Sequence, residues 1–172
     1  MQPRYEEYLL ENDGRTPNNP RLPLLVYPGA LEGEDLRQRF MRELEKNGWG
    51  GAWVGGAFSY HHYHSTAHEA LRAVGGEARL TFGGESGIEL DLSAGDAVVI
   101  PAGVGHCNSG SSSGFAVIGA YPDGQSWDLL IEEDPGELPR ALENIRSVPL
   151  PQADPVFGAD GPAVTWVTCR RG

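Results

Sequence analysis

Between residues 49 and 122 glycine and proline turns cut the chain into short apolar runs, and this punctuation constrains the fold more than any other feature. The runs lie at 53–58, 78–82, 88–92, 97–100 and 115–121, separated by Gly-Gly, Gly-Asp and Pro-x-Gly turns. Each is short for a helix and right for a strand. Gly occurs 24 times and Pro 13 times in 172 residues, which suits many strands joined by tight turns better than a helical bundle. The pattern predicts an all-β sandwich or barrel of antiparallel strands. With no internal repeat or low-complexity linker, the chain reads as a single domain over 1–172. Residues 1–48 form an N-terminal arm, a strand and a helix, 49–122 the barrel core, and 123–172 a C-terminal extension.

The flanks are less regular. The stretch through Arg21 is polar and rich in Asn, Pro and Gly, and reads as a surface arm. Residues 22–27 predict a strand stopped by Pro28 and Gly29. Residues 34–46 predict a helix, because Leu36, Phe40 and Leu44 recur on one face with Met41 beside them. Glu34 and Asp35 suit the positive end of its dipole, and Asn47 and Gly48 end it. Such a helix is a strut on the outside of a sheet. A short helix is expected at 137–145 and a last strand at 164–168.

Charge and composition narrow the partners. The formal net charge is -11, which repels phosphate backbones and anionic membranes, so neither nucleic acid nor membrane is an expected partner. No run approaches the roughly 18 apolar residues needed to span a bilayer. The N-terminus is acidic with no apolar run, unlike a signal peptide. Cys107 and Cys169 are the two cysteines and make no disulfide framework. A cytoplasmic location is the expectation.

Four of the five histidines fall within residues 60–69. Imidazole plus carboxylate suits Fe, Mn, Ni, Co, Cu and Zn. On a strand, His62 and His64 share a face, with His61 and Tyr63 on the other. A helical alternative competes: Thr66 and Glu69 are spaced as a capping box, and His64 and His68 sit four apart. Gly75 and Gly76 would limit that helix to about two turns over 67–73. Downstream, Gly95, a buried run at 97–100, the Pro101-x-Gly103 turn and His106 form a β-arch that can return a ligand to the interior, which favours the strand.

Here the chain resembles the cupin superfamily. Gly56, His62, His64, Glu69 and Gly76 match the first cupin motif, and Gly95, Pro101, Gly103 and His106 match the second. The usual Asn after the second motif would fall at Gly110; Asn108 comes two residues too early, which puts a supporting role for it in doubt. The motifs span under a third of the chain. The string around 62–71, with residues 119–122, Trp127 and Asp128, is similar to the small bacterial YjlB-like cupins, a group without an assigned reaction.

The resemblance implies a double-stranded β-helix (jelly-roll) barrel with one or two peripheral helices. His62, His64, Glu69 and His106 would hold one divalent transition metal ion (Fe, Mn, Ni, Zn, Co or Cu). Four protein donors on an octahedral ion leave two positions for water or substrate. Glu69 is the candidate catalytic residue, shuttling a proton if it detaches; its alternative is a supporting carboxylate or general base. His61 and His68 are expected at the surface and Cys107 outside the lumen. Tyr60, Tyr63 and Tyr121 could reach a substrate or simply find hydrogen-bond partners. Trp127 and Asp128 either close a mouth of the barrel or are a packed Trp with a solvated Asp. Glu132, Glu133 and Asp134 read as a solvated loop.

The implied function is a metal-dependent enzyme, of dioxygenase or isomerase/epimerase type, acting on a small polar metabolite. Its alternative is a non-catalytic ligand-binding or sensing module, and a third reading is a metal-free storage barrel. An enzyme requires an open metal position and a polar pocket wall, whereas a sensor could have an apolar one. The family implies a homodimer.

Overall fold

The structure is a computed structural model that describes residues 4–166. Its strands are β1 (Glu6–Tyr8), β2 (Leu24–Tyr27), β3 (Trp49–Gly55), β4 (His62–Tyr63), β5 (Glu69–Gly75), β6 (Glu77–Phe82), β7 (Ile88–Ser93), β8 (Ala97–Ile100), β9 (His106–Ser111), β10 (Ala116–Pro122) and β11 (Leu130–Ile131). The helices are α1 (Leu36–Lys46), α2 (Leu138–Ser147) and α3 (Pro162–Thr165), with a 3-10 turn at Pro135–Glu137. A six-stranded sheet runs β1-β2-β8-β5-β10-β3 and a five-stranded sheet β11-β4-β9-β6-β7, with antiparallel pairing throughout. This is the all-β, two-sheet architecture that the glycine punctuation predicts.

The central strands of the larger sheet are buried on both faces. Leu24, Val26, Leu71, Val98, Ile100 and Val117 pack against Leu80, Phe82 and Leu92 of the smaller sheet. Their alternating neighbours Leu25, Tyr27, Ala70, Val99, Ile118 and Ala120 pack under Phe40 and Leu44 of α1. Two-sided burial explains why β2 and β8 read as continuous apolar runs rather than alternating ones. Helix α1 is the outer strut that its periodicity predicts, but it starts at Leu36. Asp35 has φ 58, in the left-handed region, so Glu34 and Asp35 lie before the first turn.

Two expectations need correction, and one open alternative is settled. The arm is more than a surface wrap, because β1 adds the edge strand beside β2 and Thr16, Asn18 and Asn19 are buried. The Asn18 side-chain amide donates to the Gly83 carbonyl and its oxygen accepts from Gly105 N–H, while Asn19 donates to the Ala102 carbonyl. The arm thereby supplies partners for the turn that leads to His106. The capping-box helix at 67–73 is absent: β5 is paired with β8 on one side and β10 on the other, so tertiary pairing overrides the local signal. The final strand at 164–168 is also not seen, since Val164 and Thr165 belong to α3; Val167, Thr168 and Cys169 lie outside the described residues. No helix among the described residues is long and apolar enough to cross a membrane.

Candidate metal centre

Both sheets contribute to one buried point. In the smaller sheet β4 pairs with β9 so that His62 stands opposite His106, their ring centroids 4.1 Å apart. His64 follows β4, with its ring 5.7 Å from His62 and 5.4 Å from His106. From the larger sheet, Glu69 opens β5 with the parity of Leu71, which faces the inter-sheet core. Its Oε2 lies 3.2 Å from His64 Nε2 and its Oε1 3.4 Å from His106 Nε2. All four residues are 5% exposed or less. Nitrogens of His62, His64 and His106 lie within 4.8 Å of one another, a group that could hold a metal ion.

The Pro-x-Gly turn fixes the approach of His106. Gly103 N–H donates to the His64 carbonyl at 2.7 Å, and Val104 N–H to the Pro101 carbonyl at 3.0 Å. Gly103 has φ +93, and a Cβ there would meet the Asn18 carbonyl oxygen at 2.4 Å. Only glycine suits that corner.

The outward nitrogen of every ring faces a backbone carbonyl. His62 Nδ1 lies 2.9 Å from Tyr60 O, His64 Nδ1 2.5 Å from Asp128 O, and His106 Nδ1 3.2 Å from Val104 O. Carbonyls only accept, so each Nδ1 carries the proton and each neutral ring turns an Nε2 lone pair to the centre. His106 Nε2 is buried with no hydrogen-bond partner among the described residues. Inward lone pairs and a carboxylate thus converge on one point, an arrangement that a cation satisfies. The residues therefore fit a divalent ion, and a nitrogen-and-oxygen donor set without thiolate matches the first transition row.

Electrostatics describe the same conflict. Burial, then the nearby His106, lowers the His62 pKa to about 3. Burial also works against a proton on His64, but hydrogen bonding and attraction from Glu69 overcome it and raise its pKa. For Glu69 burial opposes ionisation, yet His106 and His64 hold its pKa below the usual carboxylate range.

The group lies at the inner end of a cavity of about 270 Å³, lined also by Trp53, Gly55, Gly56, Ala57, Phe58, Leu71, Tyr121 and Trp127. Phe58 and Trp127, 47% and 46% exposed, form its rim. Tyr121 brings the sole hydroxyl, which accepts from Trp53 Nε1 at 2.9 Å. The polar wall expected of an enzyme is thus replaced by an aromatic one, because β3 and β10 turn Trp53 and Tyr121 inward.

The remaining candidates divide clearly. Trp127 does stand at the mouth, its ring 5.2 Å from His64 and stacked at 5.8 Å on Tyr121. Asp128 is half-buried and engaged rather than freely solvated: its carboxylate accepts from Ser65 N–H at 2.6 Å and Ser65 Oγ at 2.5 Å. Sequence reasoning missed that role, together with Trp53 and Phe58; the Trp127–Asp128 string was the available signal. His68 is fully buried rather than at the surface, covered by Trp166 at 4.8 Å between ring centroids. Glu132 is likewise buried, with Oε2 3.9 Å from His61 Nδ1. Tyr60 stacks on Phe58 outside the cavity lining, and Tyr63 is buried. Cys107 is buried outside the cavity lining. Asn108 bonds Ser111 and Gly110 within its own turn.

Known proteins bear on this geometry. The cupin domain family matches residues 52–117, which hold all four converging side chains. The chain is 43% identical to the uncharacterised protein YjlB of Bacillus subtilis (strain 168) over 168 residues, 97% of this chain and 99% of that one. Among solved structures, acireductone dioxygenase from Bacillus anthracis, with a cadmium ion in its active centre, is 16% identical. The match covers 73% of this chain and 81% of that chain, with a TM-score of 0.42. The recombinant pro-11S globulin of pumpkin is 21% identical over 46% of this chain, with a TM-score of 0.39; the match spans 22% of the globulin. Likenesses this distant say nothing of activity. The near full-length identity to YjlB, together with the cupin-domain match over the residues that hold the site, places this chain in the cupin superfamily.

Proposed function

We propose that the protein is a metal-dependent enzyme of dioxygenase or isomerase/epimerase type, acting on a small molecule in the cavity beside His62, His64, Glu69 and His106. The observation that carries this reading is the convergence of three buried imidazoles, one with an unpartnered Nε2, beside the Glu69 carboxylate at the inner end of an accessible cavity. The ion these residues would hold is one of Fe, Mn, Ni, Zn, Co or Cu. When bound it supplies Lewis acidity toward a carbonyl or hydroxyl, or a meeting point for dioxygen and substrate.

The chain's own contribution is orientation and exclusion of water. The Nδ1–H bonds hold each ring in one tautomer, and an ion held by His62, His64, Glu69 and His106 would keep positions open for substrate. Both Glu69 oxygens are directed at imidazoles, which supports a ligand role over that of a mobile base. The aromatic walls keep bulk water from the centre. Those walls also favour a second reading, a non-catalytic ligand-binding or sensing module. In either case we propose a cytoplasmic homodimer, which light scattering and cell fractionation would check.

The test is elemental analysis of untagged protein beside a His62→Ala, His106→Ala double variant. About one equivalent of a transition metal in the wild type, lost in the variant, is the expected result. No metal, even after reconstitution, would sink the reading. Oxygen-uptake and isomerisation screens then separate enzyme from sensor, which binds its ligand without turnover.

A further inference from the structure

We infer that the cavity takes a single-ring aromatic molecule whose oxygen atoms are gathered at one end, facing the metal centre, with Phe58 and Trp127 gripping its ring. This inference rests on the metal-centre reading above and narrows its ligand.

The first observation is where polar partners are. No Lys or Arg lines the cavity among the described residues, so an anionic group finds positive charge only at the inner end. The Tyr121 hydroxyl accepts from Trp53 Nε1 and its own proton is oriented toward Glu69, so it too serves the inner end rather than the walls. A sugar or polyol carries hydroxyls all around its frame, and most would be buried here without partners. A phosphate ester would lack a counter-charge. The small polar metabolite expected from the sequence therefore fits only at its metal-facing end, and the sugar branch of the isomerase reading fits poorly.

The second observation is the placement of rings. Phe58 stands edge-on to His62 at 5.1 Å and Trp127 edge-on to His64 at 5.2 Å. One half-exposed ring thus flanks each of two neighbouring imidazoles at the mouth. Polar bonds hold this arrangement: Thr66 Oγ1 donates to Ser126 O and accepts from Asp128 N–H, bracketing Trp127. Aromatic faces and edges at fixed positions select flat π-systems over saturated rings of equal size.

The third observation is size. An apolar cavity of about 150 Å³ holds benzene; the space here, about 270 Å³, accommodates one ring with substituents.

The experiment uses full-length protein reconstituted with Zn²⁺, which is redox-inert, after elemental analysis has shown one equivalent bound. Calorimetric and tryptophan-fluorescence titrations compare 4-methylcatechol with cyclohexane-1,2-diol and glucose, for wild type and for Trp127→Ala and Phe58→Ala. The catechol is expected to bind at least tenfold tighter than the saturated diol, with glucose not bound. Each variant should weaken it about tenfold with zinc content unchanged. Comparable affinity for diol or glucose, no catechol binding to zinc-loaded protein, or variants that bind as wild type would each overturn the inference while leaving the metal centre standing. Failure to take up zinc or any other transition metal overturns the metal centre, and the inference falls with it.

Discussion

The imidazole Nδ1 of His64 lies 2.5 Å from the backbone carbonyl of Asp128, although 64 residues separate them in the chain. The Asp128 carboxylate meanwhile caps Ser65, the residue after His64. One residue of the C-terminal extension therefore sets both the tautomer of His64 and the path of the chain beside it. Asp128→Ala removes the cap and frees the carbonyl to drift. Metal affinity should fall about 10–100-fold, the usual effect of losing a group that orients a ligand. Competition with a chromophoric chelator measures it. Asp128→Asn keeps one acceptor and should fall less; unchanged affinity in Asp128→Ala would show that the contact orients nothing.

Arg72 is fully buried on the helix-facing side of the larger sheet. Its guanidinium lies 4.5 Å over the Phe40 ring, bonds Glu43 Oε2 at 2.8 Å and donates to the Pro155 carbonyl. Breaking a buried pair from one side strands the other charge, whereas an apolar isostere removes the problem. Arg72→Met should change stability by about 1 kcal/mol or less. Glu43→Ala strands the buried guanidinium and should cost more, about 1–2 kcal/mol, a cost moderated because Glu43 is partly exposed and screened by water. Urea denaturation gives both numbers, and the reverse order would show that packing under Arg72 outweighs its charge.

His68 predicts a pH dependence. It is completely buried and its Nδ1 accepts from Ala102 N–H at 2.9 Å, so the folded state holds it neutral, and burial lowers its pKa to about 4. The unfolded chain takes up a proton near 6.5. Stability from the neutral ring is thus complete above pH 6.5 and lost as pH falls from 6.5 toward 4, by about 2–3 kcal/mol. His62, lowered in the same direction, adds to the wild-type slope, so the comparison is with His68→Gln. Urea midpoints between pH 7 and 4.5 should fall less in the variant; parallel curves would rule His68 out as a contributor.

Gly119 pairs with Trp53 across β10 and β3, and a Cβ on Gly119 would lie 2.2 Å from the indole. Gly119→Ala must push Trp53 from its seat and from Tyr121. A cost of about 1–3 kcal/mol is expected, with a changed tryptophan emission spectrum and weaker 4-methylcatechol binding. Wild-type emission and binding would mean that the ring adjusts without leaving the cavity wall.

These contacts also show what was legible in the sequence. The grouping of His62, His64, Glu69 and His106 was legible because strand parity and two turn motifs are local properties. The runs at 78–82, 88–92 and 97–100 became β6, β7 and β8 for the same reason. His68 obeys that parity too, facing away from the centre, but its cover, Trp166, comes from the far end of the chain. Nothing near His68 announces that. Asp128 meets His64 through its backbone carbonyl, and the Asn18 side chain meets the backbone of Gly83 and Gly105, groups that every residue possesses, so no residue type marks these partners. The aromatic wall was hidden likewise, since Trp53, Phe58, Tyr121 and Trp127 are dispersed over 75 positions and only the folded sheets gather them.

Glu69 belongs to the larger sheet, whereas His62 and His106 belong to the smaller one. An ion bound to all of them rivets two layers otherwise held by side-chain packing. Because the unfolded chain lacks this grip, each tenfold rise in free ion above the dissociation constant adds about 1.4 kcal/mol to the folded state. The persistence of the protein in a cell would then follow the supply of its own metal, with starved molecules opening between the layers and meeting proteases first.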